Sequence, residues 1–146
     1  MGIRVPGRNQ WQVVVGGDPS GAARHCNLAG QETKSLGCSY ASKWDDGYPF
    51  LAPVRARESW KNGFGLYSMA GQVWEWCEDF YAGDFYGRSD SKDPVNRVAG
   101  ASRLRVARGG SWYSYLGGCR AAYRDRIDPS FRNEYLGFRV ARTIAE

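Results

Sequence analysis

The sequence predicts an α+β domain of short strands, little helix and long irregular loops. Three observations carry that prediction. Aromatic residues make up 14% of the 146 residues, enough to pack a core without long regular elements. The 19 glycines and 6 prolines interrupt the chain too often for long helices. The clearest local period is two, the period of a strand, at 73–78 and 104–108. The length predicts one domain, able to bury roughly 68–70% of its unfolded surface.

The elements follow in order. Arg8 to Val15 predicts a short helix with Trp11, Val14 and Val15 on one side and Gly16-Gly17 as its stop. Asp18 to Asp46 is polar and turn-rich, and reads as irregular chain. Ala52-Pro53-Val54 predicts a short strand. In Val73 to Glu78, alternation puts Trp74 and Trp76 on one face and Glu75 on the other. Asp79 to Asn96, with Tyr81, Phe85 and Tyr86, reads as loop. Leu104 to Arg108 predicts a strand broken by Gly109-Gly110, and Cys119 to Arg124 and Leu136 to Ala141 predict two more. So little regular structure leaves the loops to be fixed by aromatic packing, arginine hydrogen bonds or metal ions.

Charge is uneven. Residues 1–96 carry a net −1, and residues 97–146, with 10 Arg and no Lys, carry +6. A basic third can mark a nucleic-acid surface. Arginine without lysine also suits structural pairing, because one guanidinium satisfies several acceptors. With no nucleic-acid motif beside the charge, the structural reading is preferred. The longest aliphatic run is Val13-Val14-Val15, too short for a membrane span. Met1 to Trp11 holds no hydrophobic leader, and the compartment stays open. Cys26, Cys38, Cys77 and Cys119 lack zinc spacing, and His25 is the one histidine. Two states fit them: a Cys26–Cys38 bridge in an oxidising compartment, or free buried thiols.

Asn62-Gly63-Phe64-Gly65-Leu66-Tyr67-Ser68-Met69-Ala70-Gly71-Gln72-Val73-Trp74-Glu75-Trp76 resembles the signature of the formylglycine-generating-enzyme (sulfatase-modifying-factor) family. Arg108-Gly109-Gly110-Ser111-Trp112, Arg120-Ala121-Ala122 and Leu136-Gly137-Phe138-Arg139 resemble its C-terminal motifs, and Arg4-Val5-Pro6 to Trp11 an upstream helix start. The resemblance covers nearly the whole chain. It implies a modified C-type lectin-like fold in a single domain over 1–146, short or minimal at its N-terminal side.

The resemblance also implies two calcium sites. One would use Asn27, Leu28, Asp46 and Tyr48, oxygen donors on irregular loops, with Asp45 close by. The same residues also fit a pair of Asx turns. The other would use Ser68, Gly71, Val73 and Glu75. Ser68 there replaces the family's Asn or Asp, and a bond from Glu75 to an arginine or to backbone amides is the competing reading. A carboxylate between two tryptophans needs a cation or donors in either case.

The family's oxidases use two copper-binding cysteines. By alignment from Leu136-Gly137-Phe138-Arg139 those positions are Leu116 and Ala121, and Cys119 stands alone between them. One thiol makes neither a two-coordinate thiolate site nor a redox pair. One histidine excludes a self-contained sulfoxide-synthase iron site. No copper cofactor and no catalysis are expected.

The chain is also similar to the variable proteins of diversity-generating retroelements, which share this fold. In them, the stretch between the Gly-Gly-Ser-Trp and Gly-Phe-Arg motifs is diversified through codons that exclude Lys, Glu, Gln, Met and Trp. From Tyr113 to Tyr135 only Glu134 falls outside that set. The stretch is rich in Tyr, Ser, Gly and Asp, a paratope-like composition. The resemblance implies a phage or bacterial protein with a protein or cell-surface ligand, and no nucleic acid. The implied ligand residues are Tyr113, Ser114, Tyr115, Leu116, Gly117, Tyr123, Asp125, Arg126, Ile127, Asp128, Phe131, Asn133 and Tyr135. Trp112, Arg120, Ala122, Arg124 and Phe138 are expected to point inward. Two alternatives stand beside this: the tyrosines as ordinary core residues, and a family domain of a larger enzyme or signalling protein.

Overall fold

The computed structural model describes residues 24–39, 41–92 and 94–140. The helix expected over 8–15 and the Arg4 to Trp11 motif lie outside the described residues. Regular structure is scarce among the described residues, as the glycine and proline content dictates. Strand β1 runs Trp74–Phe80, a short helix α1 Phe85–Arg88, β2 Arg105–Arg108, β3 Asp125–Ile127 and β4 Leu136–Gly137. The four strands form one sheet in the order β3-β2-β1-β4. β2 lies antiparallel to β1, with Glu75 opposite Arg108 and Trp76 opposite Ala107. β3 lies antiparallel to β2, and β4 parallel to β1. The antiparallel pair β1–β2 is the centre of the sheet, and Val106 and Ala107 are buried within it.

The alternation read at 73–78 is a strand, and it runs on to Phe80 through a register irregularity. Other expectations are corrected. Ala52-Pro53-Val54 forms no strand: Gln72 clamps the Ala52 backbone through both its amide atoms, so those groups are satisfied by a side chain. Cys119 to Arg124 is not a strand either. Leu116–Cys119 is a turn of 3-10 helix, and the Arg108 guanidinium takes the Ala121 carbonyl at 2.7 Å. Pairing begins only at Asp125. The segment read as Leu136 to Ala141 pairs only at Leu136–Gly137. Within the irregular 18–46 stretch, Gln31–Leu36 forms a 3-10 helix ended by Gly37 in the left-handed region.

One apolar cluster among the described residues joins Cys26, Leu28, Ala70 and Cys119, with Trp44 and Leu116 packed against it; Trp60, Met69, Trp74, Val106 and Trp112 are buried too. All four cysteines are buried thiols outside any disulfide, so Cys26 and Cys38 are unbridged. Gly71 ties this core to the signature segment. It bridges Asn27 in parallel and donates to the Gly109 carbonyl at 2.7 Å. Its φ is +71°, and a Cβ there would sit 1.7 Å from the Asn27 carbonyl oxygen. Only glycine fits that approach.

Candidate functional site

Glu75 meets a cation, and the cation is Arg139. The guanidinium donates from Nη2 to Oε1 at 2.7 Å and from Nε to Oε2 at 3.0 Å. The same Nη2 reaches the carbonyls of Tyr67 at 3.0 Å and Ser68 at 3.3 Å. A bidentate fork on a nearly buried carboxylate satisfies the charge that two tryptophans would otherwise strand. Glu75 thus has the arginine partner of the competing reading, and the calcium set of Ser68, Gly71, Val73 and Glu75 stays an expectation. The guanidinium occupies both oxygens of Glu75, the carboxylate donors of that set.

The other set keeps unused oxygen donors. Asn27 and Asp46 are each 1% exposed. Asn27 Nδ2 donates to the Phe50 carbonyl at 2.7 Å and to Gln72 Oε1 at 2.9 Å. Its Oδ1 is buried with no partner among the described residues. Asp46 accepts the backbone N–H groups of Leu28 and Tyr48, both at 3.0 Å, one on each oxygen. Each oxygen keeps a second lone pair. Burial, with a smaller contribution from Asp45, pushes the Asp46 carboxyl up to about 6 against those hydrogen bonds and Arg57. A buried carboxylate held this high and an orphaned carboxamide oxygen are the arrangement a hard cation would complete, with carbonyls of Leu28 and Tyr48 nearby in sequence.

The 113–135 segment divides. Tyr113 stacks on Tyr135, ring centroids 5.9 Å apart and planes 17° off parallel. Both meet the buried Trp112 edge-on, at 5.3 and 6.5 Å. Tyr123 lies on Trp74 at 5.8 Å, and the Trp74 backbone N–H donates to the Tyr135 carbonyl, joining the two aromatic groups through the main chain. Tyr115, Arg126, Asp128 and Phe131 are exposed, while Gly117, Asp125, Ile127 and Asn133 are half-buried. Phe131 and Asp128 share a turn, where Asp128 Oδ1 takes the Ser130 N–H and hydroxyl. The ring contacts do not extend to Phe131 among the described residues.

Two expected ligand residues serve the scaffold instead. Ser114 is buried, with its Oγ on Ser111 and its carbonyl on the Ala29 N–H. Leu116 packs on the core. Three expected scaffold residues face out: Arg120, Ala122 and Phe138, the last 64% exposed. At Arg120 and Ala122 period-two reasoning failed because the segment is a turn, not a strand, and Phe138 lies just beyond the end of β4. Trp112 is buried as expected, and half-buried Arg124 holds the carbonyls of Ala82 and Gly83. Sequence reading missed Phe50, which is 52% exposed and meets Trp112 at 5.1 Å. It also missed Tyr81, which lies beside Arg124 and Arg126. Neither carries a motif signal, because only the fold brings them to this face.

Cys119 is 1% exposed, and burial pushes its thiol up to about 12. Cys77 is likewise pushed to about 12. Thiols held this protonated are poor nucleophiles and poor metal ligands. No helix among the described residues is long and apolar enough to cross a membrane.

The comparisons with known proteins agree with this architecture. The model of the sulfatase-modifying factor enzyme 1-like domain matches residues 1–144. The chain is 33% identical to the formylglycine-generating enzyme of Streptomyces coelicolor, over 96% of this chain and 46% of that protein. It is 32% identical to the serine/threonine-protein kinase pkn1 of Chlamydia pneumoniae, over 99% of this chain and 22% of that protein. The chain thus spans less than half the length of these relatives. Among solved structures, Treponema denticola variable protein 1 superposes with a TM-score of 0.56 at 30% identity, covering 93% of this chain and 46% of that one. The short-stranded sheet and these neighbours show the modified C-type lectin-like α+β fold, and the chain belongs to the sulfatase-modifying-factor, or formylglycine-generating-enzyme, family.

Proposed function

We propose that this domain is a noncatalytic ligand-binding module of the retroelement variable-protein type. It presents a tyrosine-rich face from 113–135 on its C-type lectin-like scaffold, to a protein or cell-surface ligand. The observation that carries the reading is the Tyr113–Tyr135 stack anchored edge-on to buried Trp112. Tyrosines held this way offer large contact area at little entropic cost. Similarity to a protein titled a variable protein supports the same reading. The burial of Cys119, with Leu116 and Ala121 at the expected cysteine positions, supports the absence of copper-dependent oxidation. A structural calcium ion at Asn27, Leu28, Asp46 and Tyr48 belongs to the same proposal.

The test is a display library that randomises Tyr113, Tyr115, Tyr123, Asp125, Ile127, Phe131 and Tyr135. A ligand face tolerates this, so folded members should be common and binders to an arbitrary protein target recoverable. Wholesale loss of folding in the library rejects the reading. A second reading, a family domain within a larger enzyme or signalling protein, draws on the likeness to the Streptomyces enzyme and the Chlamydia kinase. A reverse-transcriptase gene and an adenine-rich near-copy of the 113–135 coding segment beside the gene would decide for the first.

A further inference from the structure

Tyr81 follows β1 directly, and its N–H is fixed to the Leu104 carbonyl at 2.8 Å. Two guanidiniums approach its ring: Arg124 at 5.3 Å and Arg126 at 5.8 Å. They differ in how their donors are used. Arg124 also covers the Tyr86 ring at 4.5 Å and spends its donors on the Ala82 and Gly83 carbonyls. Arg126 is exposed, and its guanidinium hydrogen-bonds no acceptor among the described residues. The neighbouring carboxylate is already engaged, because Asp125 Oδ1 accepts the Arg126 backbone N–H at 2.8 Å. Arg126 therefore keeps its guanidinium donors for a further acceptor. Tyr123 joins this place to the ligand face: Asp125, Tyr115 and Tyr81 all act on its phenol, which burial first of all holds above its ordinary value.

We propose that the ligand face continues past the 113–135 segment onto Tyr81, and that it takes an acidic protein segment whose carboxylate is gripped by Arg126 over the Tyr81 ring. The inference rests on the ligand-binding reading above and gives its partner a chemistry. A guanidinium lying over a ring keeps its in-plane N–H fork free for a carboxylate, and the ring holds it in place. Tyr and Arg are also the residue types that dominate protein interfaces. Nucleic acid fits less well. Base stacking needs open ring faces, and Arg124 already lies against both Tyr81 and Tyr86.

The experiment uses a fluorescent oligoglutamate peptide, read by polarisation at about 0.15 M salt, where exposed charges are screened beyond about 8 Å. The wild-type chain should bind it. Arg126→Ala and Tyr81→Ala should each weaken binding about tenfold or more, the loss of one charge-assisted contact. Arg88→Ala removes the same charge from an exposed residue paired with Asp84, and should change binding less than about twofold. Melting curves confirm that each variant is folded. No binding of the peptide overturns the proposal. So does an equal loss in the Arg88 and Arg126 variants, or preferential binding of oligolysine or oligothymidylate. The double variant Tyr113→Ala/Tyr135→Ala separates the two readings. Binding that needs this pair but ignores Arg126 and Tyr81 overturns the anchor and leaves the face; the converse keeps the anchor and rejects the aromatic face.

Discussion

Arg139 and Glu75, 64 residues apart in the chain, form a two-pronged ion pair whose guanidinium also closes on the carbonyls of Tyr67 and Ser68. One side chain thereby ties β1, the left-handed turn at Ser68 (φ 53°) and the chain after β4 into one node. Such nodes do the work that helix packing does elsewhere.

The first prediction follows from that node. Arg139→Ala should destabilise by about 3 kcal/mol, the low end for stranding a buried charge, since the pair is partly solvated. Arg139→Met combined with Glu75→Gln should recover most of the loss, because no charge is then left unpaired. Urea unfolding of the three proteins checks this. A single variant as stable as wild type would show that the pair contributes nothing net.

Calcium should stabilise the fold through Asn27 and Asp46. An ion that binds only the native state contributes about 2.7 kcal/mol at a hundredfold excess over Kd. Chelator should therefore lower Tm, and Asp46→Ala should remove the response. Elemental analysis distinguishes a tightly retained ion from none. Chelation should not alter the effect of Arg139→Ala, since that node already holds its cation.

Asp46 sets a pH dependence. Its folded value, about 6, lies above its ordinary 3.8, so the folded state holds the proton more tightly. Without metal, its contribution is fully present below pH 3.8 and is lost as pH rises through about 6. The swing is at most about 3 kcal/mol for a shift of this size. Calcium needs the ionised carboxylate, so its stabilisation should grow over the same interval. The check is Tm against pH for wild type and Asp46→Asn, with and without calcium; the metal-free difference between the two should disappear if Asp46 does not titrate there.

Copper-dependent thiol oxidation should be absent. A sulfatase-type peptide containing cysteine, incubated with the protein, copper and oxygen, should show no turnover above background. Turnover that survives Cys119→Ser would sink the assignment of Leu116 and Ala121 to the two cysteine positions.

Replacing the exposed members of the ligand face should cost little stability and much binding. Tyr115→Ala with Phe131→Ala should stay within about 1 kcal/mol of wild type in total, because exposed sites rarely exceed about 0.5 kcal/mol each. Gly71→Ala provides the contrast: it should abolish folding, since its Cβ would meet backbone at 1.7 Å with nothing able to yield. The comparison is by thermal melting of all variants. A folded Gly71→Ala protein would mean that the Asn27–Gly71 bridge is dispensable.

By itself the sequence determined the elements whose signals are local. Alternation located β1 and most of β2, because period two is the period of a strand, although burial along both does not follow it. The paired glycines at 109 and 110, both at positive φ, fixed where β2 ends. The motifs determined the family. Tertiary structure decided what local periodicity cannot express. Whether Glu75 meets calcium or arginine depends on a residue 64 positions away. The 119–124 segment alternates like a strand, yet Arg108 draws the Ala121 carbonyl into a turn. Ser114 and Leu116 read as surface, yet Ser114 is buried and Leu116 half-buried, because long-range contacts to Ala29 and the core claim them. Tyr81 and Phe50 reach the ligand face only through the fold. In a chain so poor in regular structure, burial is set by which distant backbone groups need a partner, and that demand has no period in the sequence.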